Sequence, residues 1–207
     1  MTKAKEGRMI LMRHGQTEYN NQHRMTGQLD VPLTEEGEEQ ARAAGRLLAP
    51  FTIDKVYAST LSRAFNTAAL ALKSAGKADM EIECRAEIIE LDTGDFTGRC
   101  HKIDPEIQAF GRGYDRRLPG GESTKDVVER LEKFFNGEVM PRLQHGETIL
   151  IVAHAGIVRA FDYMLDLREK DQSSVVKGSI SNAEPVVFTY QDGKLAGFTP
   201  IRPKNAP

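Results

Sequence analysis

The sequence predicts an α/β protein, a three-layer α/β/α sandwich with a mostly parallel, mixed central sheet and a hairpin on one edge. Two observations carry this. Three short apolar runs rich in Ile, Val or Tyr read as buried strands, and each is followed by a helical pattern, the alternation that builds parallel sheets covered on both faces. The C-terminal region instead places two strand-like runs around a tight-turn signal.

In chain order, "RMILMRH" (8–14) is the first strand. "PLTEEGEEQARAAGRLL" (32–48) is a helix with Thr34 as N-cap, Glu35 and Glu36 in its first turn, and Ala41, Ala44, Leu47 and Leu48 on one stripe. "IDKVYAS" (53–59) is the second strand, and "LSRAFNTAALALKSAG" (61–76) is an Ala- and Leu-rich helix stopped by Gly76. "GESTKDVVERLEKFF" (121–135) opens with Ser123 and Asp126 in capping-box spacing before Val127, Val128, Leu131 and Phe134. "TILIVAH" (148–154) is the third strand, followed directly by the helix "GIVRAFDYMLDL" (156–167). "PVVFTYQDGKLAGFTPI" (185–201) is the hairpin, and "RPKNAP" is a frayed tail. The longest irregular stretch, 86–122, has the length of a functional wall or lid and is expected to shape a substrate pocket.

At 207 residues the chain fits one domain spanning 1–207. A net charge of -2 lacks the basic excess of a nucleic-acid binder. Cys84 and Cys100 form no CxxC pair, so neither a disulfide framework nor a zinc site is expected, and a reducing cytosol fits. The apolar run "MILM" is too short for a signal-peptide core, and no stretch has the ~20 apolar residues of a membrane span. The expectation is a soluble cytoplasmic protein without membrane or nucleic-acid partners. Its edge hairpin and apolar helix faces could support a homodimer.

In open α/β sheets ligands bind at the carboxyl ends of the strands. This sequence puts Arg13 and His14 after the first strand, Arg63 after the second and His154 after the third. The amides of Ala155 and Gly156 open the last helix and add positive potential. A single strand-end histidine is more often structural than catalytic; cations at three strand ends of one edge point to a small, multiply charged anion such as phosphate. Gly15 is expected to let a ligand approach the backbone. A carboxylic acid that could protonate a leaving alkoxide would come from Glu87, Glu90, Asp92 or Asp95. His23, His101 and His145 read as scattered surface or loop residues.

The segments "LMRHGQTEYN", "TGQLDVPLTEEGEEQA", "YASTLSRAFNTA", "ELDTGDFTG", "PGGES" and "VAHAGIVRA" resemble, in order, the successive motifs of the histidine phosphatase superfamily, the phosphoglycerate mutase-like family. The resemblance runs from about residue 9 to 190. It implies that fold and a metal-independent covalent mechanism: His14 as nucleophile forming a phosphohistidine, with Arg13, Arg63 and His154 binding the equatorial oxygens. It also implies substrate contacts from Asn20, Thr26, Gly27 and the Ala155 amide. The family's E-x-x-x-G-x-(aromatic)-x-G pattern falls on Glu90, Gly94, Phe96 and Gly98, which makes Glu90 the general acid and base.

The family divides into phosphatases and mutases. Cofactor-dependent mutases carry a tyrosine three residues after the acid, a lysine further on, and paired arginines ahead of the Pro-Gly-Gly-Glu-Ser segment. Here the corresponding positions hold Thr93, the neighbourhood of His101 and Lys102, and Arg112 alone, with Arg116 and Arg117 close enough to substitute in part. These departures favour hydrolysis of a small phosphorylated metabolite, with no cofactor. The alternative is a phosphoglycerate mutase primed by 2,3-bisphosphoglycerate. A binding protein on the same fold that has lost activity would show decay at the catalytic positions, and His14, Arg13, Arg63, Glu90 and His154 are all present.

Overall fold

A computed structural model describes residues 5–111, 113–165 and 181–202. Arg112, the last two residues of the predicted 156–167 helix and most of the C-terminal tail lie outside the described residues.

The structure is a mixed α/β fold around one six-stranded sheet of order β3-β2-β4-β1-β5-β6. Its strands are β1 (Glu6–Arg13), β2 (Lys55–Ser59), β3 (Ile82–Arg85), β4 (Thr148–Ala153), β5 (Pro185–Gln191) and β6 (Lys194–Pro200). β1 to β4 pair in parallel, whereas β5 runs antiparallel to β1 and β6 antiparallel to β5. The hairpin turn has positive φ at Asp192 (49°) and Gly193 (76°), the twist that matches two right-handed strands.

Successive side chains of β1 and β4 enter opposite layers, as a strand covered on both faces requires. Met9, Leu11, Ile149 and Ile151 join the core beneath α5 (Thr124–Phe134), α6 (Met140–Gln144) and α7 (Ala155–Met164). Ile10, Met12, Leu150 and Val152 join the core beneath α2 (Glu35–Leu48) and α3 (Ser62–Ser74). These eight positions are all 0% exposed, and each such side chain contributes about 1.5–3 kcal/mol relative to an exposed one.

The expected caps form: Thr34 accepts from the Gly37 amide, and Ser123 and Asp126 make a reciprocal capping box. Several elements were not expected. β3 is a four-residue edge strand with no fully buried side chain, so it has no apolar run to advertise it. The helix after Ser123 does not stop at Phe135: a π turn over Phe135–Val139 leads into α6, where Pro141 falls in the first turn and its missing N–H goes undemanded. The 86–122 stretch contains 3₁₀ turns over Ala86–Ile88 and Gly94–Phe96 and the helix α4 (Pro105–Phe110), capped by Asp104. A short helix, α1 (Glu18–Asn21), follows β1.

Candidate active site

The carboxyl ends of β1, β2 and β4 open into a cleft of about 1010 Å³. Arg13, His14, Asn20, Thr26, Gly27, Arg63, Glu90, Arg116 and Ala155 line it. Lys102 and Arg117 are exposed and are not part of its wall. Lys102 instead sits 2.8 Å from Nε2 of His23, and Arg117 donates to the Gly121 carbonyl and to Asp126 at the start of α5.

His14 terminates β1 and is 3% exposed. Its Nδ1 lies 2.6 Å from the carbonyl oxygen of Gly15. A carbonyl only accepts, so Nδ1 carries the proton and Nε2 is left with a lone pair. Burial, followed by the charges of Arg13 and Arg63, holds the His14 pKa well below the usual imidazole range, against a smaller upward effect of the Gly15 bond. Gly15 serves a different purpose from the one expected. A Cβ there would meet the Gly37 carbonyl oxygen at 2.3 Å, so its small size admits the α2 backbone and not a ligand. The Gly15 amide donates to Thr67, whose hydroxyl donates to the Arg63 carbonyl, tying the shelf under His14 to α3.

His154 is fully buried, with its ring centroid 5.2 Å from that of His14. Neither of its ring nitrogens has a hydrogen-bond partner among the described residues, and the same is true of Nε of Arg13 and of Arg63. Burial depresses the His154 pKa well below the usual range, and the charges of its neighbours act the same way. Burial also lowers the pKa values of Arg13 and Arg63, while the Glu90 carboxylate opposes that shift in both. Arg63 is clamped by donating to the carbonyls of Leu29 (2.8 Å) and Gly27 (2.9 Å). Its remaining donors are thereby aimed. Buried Nε–H groups without a protein acceptor, on the Arg13 and Arg63 that line the cleft, suit a guest anion with several acceptor oxygens; the His154 ring lies beside His14 and is not among the residues lining the wall.

Of the four candidate acids, Glu90 alone lines the cleft. Glu87 lies 3.4 Å from the Arg85 guanidinium, Asp92 caps the Gly94 amide, and Asp95 packs near Gly120. Oε1 of Glu90 accepts from the amides of Leu91 (2.8 Å) and Gly156 (3.0 Å). The second of these shows how the start of the last helix is used: its Gly156 amide holds a carboxyl group, while Ala155 lines the cleft. A Cβ on Gly156 would stand 2.2 Å from Oε1 of Glu90. Gly156→Ala is therefore expected to lower kcat about 100-fold by displacing the carboxyl group, with little change in thermal melting, as a side-by-side kinetic and melting comparison would show.

Sequence reasoning missed several contributors. Arg130 of α5 donates to the carbonyls of Glu87 (2.7 Å) and Glu90 (3.2 Å) and pairs with Glu122, so α5 grips the loop that bears Glu90. It sits on the polar face of an amphipathic helix and carries no motif. His23 and His101, expected as scattered loop residues, both line the outer cleft with ring centroids 6.0 Å apart. Backbone bonds between 23–25 and 98–101 bring them together.

Neutral burial of two histidines also sets a pH dependence. In the unfolded chain histidine titrates near 6.5. Below that the unfolded state takes up protons that folded His14 and His154 refuse, so stability is fully present above pH 6.5 and is lost as pH falls toward their depressed folded values. The expected loss approaches about 1.4 kcal/mol per pH unit for each histidine. Urea midpoints measured at pH 7.5, 6.5 and 5.5 check it.

The fold and the cation-lined cleft define an α/β enzyme with a site for a small anion at the strand ends. The chain belongs to the histidine phosphatase superfamily (branch 1), whose family profile matches residues 9–197. A 2,3-bisphosphoglycerate-dependent phosphoglycerate mutase of Parvibaculum lavamentivorans is 36% identical over 193 residues, covering 89% of this chain and 90% of the relative. One bearing the same name in Methylobacterium sp. is 39% identical over 166 residues, 76% of this chain and 80% of that protein. Among solved structures, a mycobacterial glucosyl-3-phosphoglycerate phosphatase in complex with VO3 is 27% identical with a TM-score of 0.72, covering 92% of this chain and 99% of its own. The phosphoglycerate mutase of Bacillus anthracis, at 24% identity and a TM-score of 0.77 over 95% of this chain and 92% of its own, shares the fold. The names of the sequence relatives thus favour the mutase alternative over the hydrolase expected first, while a phosphatase stands among the structural neighbours. No helix among the described residues is long and apolar enough to cross a membrane.

Proposed function

We propose that this enzyme transfers phosphoryl groups through a phosphohistidine at His14 and works on phosphoglycerates, as a mutase primed by 2,3-bisphosphoglycerate. The observation that carries the covalent step is the Nδ1 contact of 2.6 Å to the Gly15 carbonyl, which, in the neutral ring that burial favours, fixes the tautomer with Nε2 free. Nε2 attacks phosphorus as the ester P–O bond breaks. Arg13, Arg63, His154, Asn20 and the Ala155 amide hold the oxygens on which charge accumulates. Oε1 of Glu90 is occupied by two amides, so Oε2 is the oxygen left to deliver a proton to the leaving oxygen. In the second half-reaction Glu90 takes the proton of the acceptor hydroxyl as that oxygen attacks the phosphohistidine.

The mutase reading draws on the relatives' names and on the basic outer wall, where Arg24, Arg116, His23 and His101 could engage the substrate carboxylate and second phosphate. One observation favours a second reading, a phosphatase. Thr93 is buried and its hydroxyl bonds that of Thr97 at 2.7 Å, so the position where mutases carry tyrosine offers the substrate no phenol. The two readings separate in one experiment, with 3-phosphoglycerate incubated with and without 2,3-bisphosphoglycerate. Interconversion to 2-phosphoglycerate that needs the primer is expected. Release of inorganic phosphate without interconversion would establish the phosphatase, and neither product would overturn both.

A further inference from the structure

We propose that Asn182 is a positioning residue: it fixes which end of the Asn20 amide faces the phosphoryl group and braces the backbone that carries His14. The inference rests on the reading of His14 as nucleophile and Asn20 as a phosphoryl ligand. Amide orientation is ordinarily ambiguous, because oxygen and nitrogen look alike. Here two backbone groups decide it.

The carbonyl of His14 can only accept, so the Asn182 atom 2.9 Å away is its NH2. The same NH2 lies 3.2 Å from the Asn20 side chain, whose atom there must be Oδ1. The backbone N–H of Thr17, which can only donate, reaches that same oxygen at 3.1 Å. The Asn20 oxygen is thus held between two donors, and its own NH2 is the end left for a phosphoryl oxygen. Both asparagines line the cleft.

The sign of this orientation matters. A donor at that position stabilises charge developing on the transferred group, and a turned amide would present an acceptor to the same charge. The neighbouring backbone makes the same clasp: the Ala183 amide donates to the Arg13 carbonyl at 3.0 Å. Ala183 does so at φ 54°, a region that side-chain-bearing residues seldom occupy and that persists where surrounding contacts enforce it. Two consecutive residues therefore secure the carbonyls of Arg13 and His14.

The test is a double-mutant cycle with Asn20→Ala and Asn182→Ala, supplemented by Asn182→Asp, and read by kcat/KM on an aryl phosphate and by the Kd of vanadate. Asn182→Ala is expected to lower kcat/KM and weaken vanadate binding about tenfold. Asn182→Asp, nearly isosteric, sets a carboxylate against the His14 carbonyl and the Asn20 oxygen, and is expected to cost about 100-fold. In the Asn20→Ala background the further loss from Asn182→Ala should shrink to less than about twofold, a coupling that a merely structural residue would not show. Additive losses in the cycle would overturn the proposal, as would wild-type vanadate affinity in Asn182→Asp. Should Asn182→Ala fold poorly, Asn182→Asp measured with and without Asn20→Ala carries the same comparison. A wild type that forms no phosphohistidine overturns the underlying mechanism, whereas one that forms it alongside an additive cycle overturns the Asn182 inference alone.

Discussion

His14→Ala is expected to lower phosphoryl transfer by roughly 10⁴-fold or more. The substitution removes an atom with the required properties: an imidazole nitrogen kept unprotonated by burial and by two guanidinium charges, with its lone pair aimed by the Gly15 carbonyl. The cations remain, so the variant should still bind vanadate or substrate, and the loss should fall on kcat more than on KM. Trapping provides the direct check. Wild-type protein quenched during turnover of labelled substrate should hold an acid-labile, base-stable phosphoryl group on His14, and His14→Ala should hold none. Full activity in the variant, or label on another residue, would end the covalent scheme.

Glu90→Gln has the second-largest expected effect, and its size should depend on the leaving group. Glutamine retains an oxygen that can accept from the Leu91 and Gly156 amides, so the side chain stays seated. It has no proton to give from the other end. Esters of ordinary alcohols need that proton, and about 10²–10⁴-fold should be lost. Activated aryl phosphates leave as stable anions and should lose less than about tenfold. Measuring both substrate classes on one preparation separates proton transfer from mere disturbance of the site. Equal losses would remove Glu90 from the acid role, and with Glu87, Asp92 and Asp95 all outside the cleft, the proton would have to come from another group that lines it, such as Glu122 or Asp162, or from water.

Much of this architecture could be read from the chain, for identifiable reasons. β1, β2 and β4 are covered on both faces, so each demands an unbroken apolar run, and the helix caps are short-range chemistry among neighbours such as Ser123 and Asp126. The strand-end residues Arg13, His14, Arg63 and His154 were placed together because a parallel sheet forces its carboxyl ends onto one side. Where the sequence was silent, long-range geometry decided. Nothing near Asn182 in the chain hints at the His14 carbonyl 168 positions away. Arg130 reads as a solvated charge until α5 packs over Glu87 and Glu90. Gly15 looked like space for a ligand because only the fold shows that the carbonyl of Gly37 occupies that space. Lys102 and Arg117 are nearby in sequence, yet neither lines the cleft: Lys102 is engaged by His23, and Arg117 by Gly121 and Asp126.

The proposed nucleophile and the proposed acid also stand on supports of different compliance. β1 is bonded to β4 on one side and β5 on the other, so it joins the parallel and antiparallel halves of the sheet. Lifting His14 out of register means opening the centre of the molecule, and the amides of Leu11 and Met12 should exchange with solvent only through global unfolding. Glu90 instead rides on a connection without strand partners, retained by Arg130, Gln28 and the Gly156 amide at the start of α7. Its surroundings should exchange orders of magnitude faster. On the proposed mechanism, a gradient of this kind would divide the labour of turnover between a stationary phosphoryl carrier at His14 and a more yielding acid side at Glu90.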